Sequence, residues 1–247
     1  MNVRGLIFDM NGTLIDINTQ EEHSDIYRVL SNLLSFEGIS LTPTAVRDLY
    51  YKIMNRQRKS SKETYPEFDA VAIFGEILTS LATDVTRGLP AEKLDQLPLV
   101  LAEVYRSVSR FRLQLYPDVK DVLDQLHPHY LMAAVSDGQS AYAVAEMHAA
   151  GLPDYFNPVI VSGNLGYRKP DRRIFEAALS GMGLSPSEAL FIGNDMYRDI
   201  FGAQQLSLKT IFFKSNQGEQ ESDGVEPDYI IYSISELPVA IRFFEER

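Results

Sequence analysis

Short apolar runs alternate with helical segments from Tyr130 to the end of the chain, and this alternation restricts the fold more than any other feature. Each apolar run has the length of one strand, and each helical segment is long enough for a crossover connection. The predicted strands are 130–135, 158–162, 189–193, 208–213 and 229–232. The predicted helices are 140–149, 170–183, about 197–205 and from about 235 onward. Such alternation is typical of an α/β protein with a doubly wound parallel sheet.

The start of the chain adds a strand to this sheet, and the next hundred residues differ in character. "VRGLIFD" predicts one more buried strand that ends at Asp9. Residues 16–113 show helical periodicity and almost no strand signal, with Thr42 before Pro43 as a helix start. Predicted helices there cover 24–38, 67–82 and about 91–110, and Pro98 is expected to kink or split the last. The pattern predicts two modules, 1–15 with 114–247 and 16–113.

Charge supports this division and restricts the partners. The net charge is −11, with 12 basic and 14 acidic residues in 16–113 and 11 basic and 20 acidic residues elsewhere. An acidic chain is unsuited to nucleic acid, whose phosphates require a basic face. We expect no nucleic-acid partner. The sequence leaves open whether the chain is a monomer or a homodimer.

Apolar runs and cysteine usage predict the location. No run approaches the roughly 20 apolar residues of a membrane span, and the first residues do not resemble a signal peptide. The absence of cysteine excludes disulfides, thiolate metal sites and a cysteine nucleophile. We expect a cytoplasmic protein with no membrane association.

Polar residues follow four of the predicted strands at their carboxyl ends, where open parallel sheets bind ligands. They are Asp9 with Asn11, Gly12 and Thr13; Ser136 with Asp137 and Gly138; Lys169; and Asp195 with Asp199. A carboxylate can attack a phosphoryl group, while a hydroxyl and a lysine hold its oxygens. Two further carboxylates can bind Mg²⁺, which prefers oxygen ligands. An acid that caps the next helix would explain any one of these features by itself, but not the combination.

"FDMNGTL", "VSDG", "RKPD" and "IGNDMYRDIFGA" resemble, in this order, the four motifs of the haloacid dehalogenase-like hydrolase superfamily. The resemblance covers residues 3–15 and about 114–215. It implies a Rossmann-like core, formed by 1–15 and 114–247, and an α-helical cap domain, 16–113, inserted after the first motif as in subfamily I. It also implies an active site at the interface of core and cap.

The resemblance assigns roles to individual residues. Asp9 corresponds to the nucleophile, and Asn11 and Lys169 correspond to catalytic positions. The implied substrate-binding residues are Thr13, Ser136, Asp137, Gly138 and Lys169. The implied ligands of Mg²⁺ are Asp9, the backbone carbonyl of Asn11, Asp195 and Asp199. Asn194 lies between Gly193 and Asp195, so the register of this loop stays open.

Asn11 stands where phosphatases of the superfamily usually have a second aspartate, which protonates the leaving group. An amide cannot exchange a proton near neutral pH, and the loss of a positioned acid costs on the order of 10² to 10⁴ in rate. Asn11 is compatible with a phosphatase whose substrates have good leaving groups, with a metal-free 2-haloacid dehalogenase, or with a weakened anion-binding or regulatory protein. It is also compatible with a substitution that was introduced to trap a reaction intermediate.

The spacing of Asp195 and Asp199 favours a metal, and therefore phosphoryl transfer over dehalogenation. We expect a magnesium-dependent phosphatase that acts on a small phosphorylated metabolite through a phosphorylated Asp9.

Overall fold

A computed structural model describes residues 1–246 of the chain, and Pro153 by its backbone only. Contacts divide the chain into two compact units. The α/β unit comprises Met1–Ile17 and the chain from Leu113 onward, and the helical unit is Asn18–Arg112. The interpretation of these units as a catalytic core and a cap stays a proposal.

The α/β unit is built on a parallel sheet, as predicted. The strands of the chain are β1 Gly5–Phe8, β2 Ile15–Thr19, β3 Arg110–Leu115, β4 Leu131–Ser136, β5 Val159–Val161, β6 Ala189–Gly193, β7 Lys209–Phe213 and β8 Tyr229–Ile231. Six of them form one sheet in the order β5-β4-β1-β6-β7-β8, and every pair in it is parallel. The chain proceeds outward from β1 on one side and then from β6 on the other, so β1 and β6 flank the switch point where such sheets bind ligands.

β1 is buried on both faces because helices cover both faces of the sheet. Leu6 and Phe8 pack into the larger hydrophobic core, whereas Ile7 packs into the core on the opposite face. This alternation follows from the two-residue repeat of a strand, and burial on both faces explains the uninterrupted apolar run.

The helices of the α/β unit divide between the two faces. The α-helices of the chain are α1 Ser24–Phe36, α2 Pro43–Ser60, α3 Ala70–Ser80, α4 Asp84–Arg87, α5 Ala91–Ser109, α6 Val119–Leu126, α7 Ser140–Ala149, α8 Arg172–Met182, α9 Gly202–Gln204 and α10 Leu237–Glu245. Apolar side chains of α6, α7 and α10 join the larger core, and those of α8 and α9 join the other. The segment predicted as a helix over 197–205 is a π-helical turn, Met196–Phe201, followed by α9.

The helical unit packs around aromatic rings. Tyr50 of α2 and Tyr105 of α5 stack with their ring centroids 4.7 Å apart, and Phe74 of α3 lies 5.4 Å from Tyr50. The predicted helix start at Thr42 is confirmed, because its side chain accepts the N–H of Ala45 at 3.2 Å. Helices α2, α3 and α5 therefore each contribute an aromatic ring to the interior of this unit.

The structure differs from the sequence prediction in two details. β2 and β3 lie at the two ends of the segment that showed almost no strand signal, and they pair with each other in a separate two-stranded sheet. Pro98 does not split its helix, since α5 continues from Ala91 to Ser109. Packing of α5 against α3 outweighs the hydrogen bond that proline cannot donate.

The helices within residues 1–246 include none with the length and apolar character needed to cross a membrane. The cytoplasmic location stays a prediction.

Candidate active site

The turn after β1 presents Asp9 at the carboxyl edge of the sheet. The N–H of Asp9 donates to the carbonyl of Ile192 at 2.9 Å, which extends the pairing of β1 with β6 by one residue. The carbonyl of Met10 then accepts the N–H groups of Leu14 and Ile15, each at 2.9 Å. These bonds reverse the chain immediately after Asp9, whose side chain is only 7% exposed.

Gly12 allows this turn to approach the loop after β6. Its φ is +95°, a value that favours glycine, and a Cβ atom there would lie 2.4 Å from Asn194 Nδ2. The hydroxyl oxygen of Thr13 lies 3.0 Å from Asp9 Oδ2 and 2.9 Å from Asn194 Oδ1. Because the hydroxyl has a single proton, Thr13 can donate it to only one of them at a time.

Lys169 joins two buried carboxylates. Its Nζ donates to Asp9 Oδ1 at 2.6 Å and to Asp199 Oδ1 at 2.7 Å. The side chain of Lys169 is 3% exposed, so this ammonium group has little contact with water. Burial lowers the pKa of Lys169, but the charges of Asp199 and Asp9 outweigh it and the pKa is raised overall. Lys169 is therefore a permanent cation beside Asp9.

Asp199 is held in place by the backbone of its own loop. Its Oδ2 accepts the N–H groups of Asn194 and Asp195, both at 3.0 Å. A Cβ atom at Gly193 would lie 2.5 Å from Asp199 Cβ, so the glycine makes room for this fold-back. Burial raises the pKa of Asp199, against the opposing effect of Lys169. Asp199 thus positions both the loop and the Lys169 ammonium group.

Asp195 has a different set of partners. Its Oδ1 accepts the N–H groups of Tyr197 at 3.2 Å and Arg198 at 2.7 Å. Its Oδ2 accepts from Arg198 Nε at 3.0 Å, Arg198 Nη2 at 2.7 Å and the N–H of Glu219 at 3.0 Å. A carboxylate offers about four lone-pair sites, so these five hydrogen bonds engage both oxygens of Asp195 fully. Asp195 caps the π-helical turn and holds the loop that contains Glu219.

The loop after β4 is joined to the loop that contains Lys169. Ser136 ends β4 and is buried. Asp137 Oδ1 accepts the backbone N–H of Lys169 at 3.0 Å, and the N–H of Gly138 donates to Ser162 Oγ at 3.0 Å. Burial raises the pKa of Asp137. The loops after β4 and β5 therefore form one hydrogen-bonded wall beside β1.

The structure brings most of the predicted residues together. Asp9, Thr13, Lys169 and Asp199 form one hydrogen-bonded group, and Asp137 joins it through the backbone of Lys169. The N–H of Asp195 donates to Asp199, whereas its carboxylate accepts from Arg198 and Glu219, and its role as a metal ligand stays a prediction. Sequence reasoning missed Asn194, whose amide approaches Thr13. Its position directly after Gly193, where β6 ends, was the available signal.

A family comparison accounts for this arrangement. A model of the haloacid dehalogenase-like hydrolase family matches residues 3–206. The chain belongs to this family. The resemblance stated from the four motifs is thus confirmed, and the chain is a hydrolase.

Curated relatives of this hydrolase include enzymes that match nearly its whole length. A glyceraldehyde 3-phosphate phosphatase of Methanothermobacter thermautotrophicus is 26% identical over 95% of this chain and 98% of its own. A pyrimidine 5'-nucleotidase of Streptococcus pneumoniae is 27% identical over 94% of this chain and 92% of its own. A glyceraldehyde 3-phosphate phosphatase of Pyrococcus furiosus is 32% identical, but over only 47% of this chain and 48% of that enzyme.

Solved structures share the fold of this hydrolase. A 2-haloacid dehalogenase from Pseudomonas syringae superimposes with a TM-score of 0.72, at 22% identity over 98% of this chain and 99% of its own. A phosphatase of the family from Thermococcus onnurineus gives a TM-score of 0.59, at 21% identity over 97% of this chain and 98% of its own. At these identities the likeness shows the fold alone, and the Rossmann-like α/β fold is confirmed.

Proposed function

We propose that this hydrolase is a phosphatase that acts on a small phosphorylated metabolite through a phosphorylated Asp9. The contact of Asp9 with Lys169 carries the proposal, because a buried carboxylate at the switch point of the sheet is paired with a permanent cation. The two relatives that match nearly the whole chain are named as a phosphatase and a nucleotidase, which supports phosphate esters as substrates.

The side chains around Asp9 suit nucleophilic attack on phosphorus. Lys169 donates a hydrogen bond to Asp9 and would offset the negative charge of an incoming phosphoryl group. Asp9 attacks the phosphorus atom, the bond to the leaving oxygen breaks, and an aspartyl phosphate forms. Water then attacks this phosphorus and releases orthophosphate, which restores the Asp9 carboxylate. Ser136 and the loop after β4 would bind the non-bridging oxygens.

We expect Mg²⁺ to be held by fewer protein ligands than the sequence suggested. Residues 1–246 contain no cluster of three acidic, histidine or cysteine side chains able to hold a metal, and Asp195 is fully hydrogen-bonded. Mg²⁺ is commonly held by one or two carboxylates together with substrate phosphate and water. Asp9, the carbonyl of Asn11 and the amide oxygen of Asn194 offer the oxygen donors it prefers. Bound there, Mg²⁺ would neutralise charge on the phosphoryl group.

Turnover of phosphate esters tests this function. Nitrophenyl phosphate and acetyl phosphate should release orthophosphate in the presence of magnesium, and Asp9→Asn should abolish the release. Rapid acid quenching followed by mass spectrometry should find one phosphoryl group on the peptide that contains Asp9. If neither compound is hydrolysed and no phosphorylated peptide forms, the proposed function is wrong.

The hydrogen bonds of Asp195 favour dehalogenation as a second candidate. The spacing of Asp195 and Asp199 was the argument for a metal, and both oxygens of Asp195 are engaged by Arg198 and backbone N–H groups. A buried Asp9 side chain in contact with Lys169 would also suit displacement of a halide from carbon. Release of chloride from a 2-chloro acid without metal, with phosphate esters untouched, would establish this activity instead.

A further inference from the structure

Asp137 has one carboxylate oxygen that the fold leaves without a partner. Its Oδ1 accepts the N–H of Lys169 at 3.0 Å. Its Oδ2 is buried and has no hydrogen-bond partner among residues 1–246. A buried polar atom without a partner costs about 1–3 kcal/mol, so its retention calls for a functional explanation.

Asp137 and Asp9 both form hydrogen bonds to Lys169, Asp137 to its backbone and Asp9 to its side chain. The backbone N–H of Lys169 contacts Asp137, while its Nζ contacts Asp9 Oδ1 at 2.6 Å. Phe8 pairs with Ala134 across β1 and β4, which places Asp137 beyond Asp9 along the sheet edge. The two carboxyl groups are therefore linked through a single residue, Lys169. A phosphoryl group attacked by Asp9 would direct its leaving oxygen away from Asp9, because attack is in line.

The surroundings of Asp137 favour its protonated form. Burial raises its pKa and is the largest influence, while Lys169 and Arg198 lower it and Asp199 raises it. Since Oδ1 accepts a hydrogen bond, the proton would reside on Oδ2, the oxygen without a partner. A carboxyl group whose pKa lies nearer neutrality is a better general acid and base.

We propose that Asp137 transfers the protons that Asn11 cannot. As the phosphorus–oxygen bond breaks, its electron pair moves to the leaving oxygen, which takes the proton from Asp137 Oδ2 and departs as an alcohol. The Asp137 carboxylate then takes a proton from the water that attacks the aspartyl phosphate. Orthophosphate leaves, Asp9 regains its carboxylate, and Asp137 is protonated again. This inference rests on the proposed phosphatase function and adds the route of its protons.

A leaving-group comparison tests the proposal. Wild type and Asp137→Asn are assayed with glycerol phosphate, whose alkoxide is a poor leaving group, and with nitrophenyl phosphate, whose phenoxide needs little protonation. The kcat/KM of Asp137→Asn should fall on the order of 10² to 10⁴ for glycerol phosphate but less than about tenfold for nitrophenyl phosphate. An equal loss on both esters would overturn the proposal, because a residue that only binds or positions affects both alike.

The pH dependence of kcat/KM distinguishes a proton-transfer role of Asp137 from a purely structural role. The first step needs protonated Asp137, so wild-type kcat/KM for glycerol phosphate should decline as pH rises through the pKa of Asp137. Asp137→Asn should lack this decline. If the kcat/KM of Asp137→Asn still declines at high pH as in wild type, Asp137 is not the proton donor.

Controls distinguish a misfolded variant, or a failure of the phosphatase function, from a failure of the proposed proton route. Asp137→Asn preserves side-chain volume, and near-ultraviolet circular dichroism together with orthophosphate binding by calorimetry checks its fold. Asp223→Asn, on an exposed loop, should match wild type with both esters. If wild type hydrolyses neither ester, the phosphatase function itself fails and the proton route fails with it.

Restoring the missing aspartate provides an independent test. Asn11→Asp should recover glycerol phosphate turnover in the Asp137→Asn background, because it supplies a second carboxyl group for the same protons. A much smaller gain is expected when Asn11→Asp is made in wild type. Equal gains in both backgrounds would show that the protons do not pass through Asp137.

Discussion

The two units of this chain bury different kinds of side chain. In the α/β unit, Asp9, Lys169 and Asp199 are each at most 5% exposed and lie together at the edge of the sheet. In the helical unit, the interior is centred on the stacked rings of Tyr50 and Tyr105. Buried charges are costly unless they are paired, whereas buried rings stabilise through packing. Under the proposed function the chemistry resides in the α/β unit, while the rings of the helical unit stabilise its interior.

Replacing Asp9 should have the largest effect on activity. Asp9→Asn should lower phosphate release by more than about 10⁴-fold, because the amide cannot form the covalent intermediate. Steady-state assays with nitrophenyl phosphate measure this loss. Tyr50→Phe in the helical unit is the matched control and should retain activity. If Asp9→Asn keeps substantial turnover, Asp9 is not the nucleophile.

Replacing Lys169 should have the largest effect on stability. Lys169→Met leaves the carboxylates of Asp9 and Asp199 buried without their cation and should cost about 3–5 kcal/mol of unfolding free energy. Urea titration followed by circular dichroism measures the change. Arg56→Met provides the comparison, because Arg56 and Glu76 form an exposed ion pair in the helical unit. That variant should lose less than about 1 kcal/mol, and equal losses would show that burial does not decide the effect.

Removing a ring tests the interior of the helical unit. Tyr50 is 1% exposed and contacts Phe74 and Tyr105. Tyr50→Ala should lower the unfolding free energy by about 3–5 kcal/mol through lost burial and an unfilled cavity. Calorimetric unfolding of the variant measures this loss. A loss below about 1 kcal/mol would show that the stacked rings do not support the unit.

The two neighbouring residues after β6 should behave differently. Asp195→Asn weakens the helix cap and the contact with Arg198, so it should cost about 1–2 kcal/mol of stability. It should leave the magnesium concentration for half-maximal activity unchanged, whereas Asn194→Ala should raise it. Assays across magnesium concentrations measure both variants. The opposite outcome would restore Asp195 as the metal ligand.

The smallest effect is expected at Tyr105. Its hydroxyl is buried and has no hydrogen-bond partner in the described part of the chain. Tyr105→Phe removes this unsatisfied group and keeps the ring, so stability should stay equal or rise by up to about 1 kcal/mol. Thermal unfolding checks the change. A clear loss of stability would reveal a partner for this hydroxyl.

The local sequence predicted the strands of the sheet because a strand that is buried on both faces forms an uninterrupted apolar run. The bounds of α7 and β6 agree with the prediction. β2 and β3 escaped prediction because they pair across nearly the whole helical unit, and such partners leave no local signal. α6 was also missed, although four of its residues are buried on one face.

The sequence by itself determined the order of the motifs, the parallel sheet and the placement of reactive residues at strand ends. These features depend on apolar periodicity and strand direction, which local composition encodes. Tertiary structure alone decided which of these residues meet. Asp195 and Asn194 are adjacent in sequence, but only the Arg198 contact and the close approach at Gly12 show that the amide faces Thr13. Side-chain direction within a turn depends on its contacts, and those contacts come from distant segments of the chain.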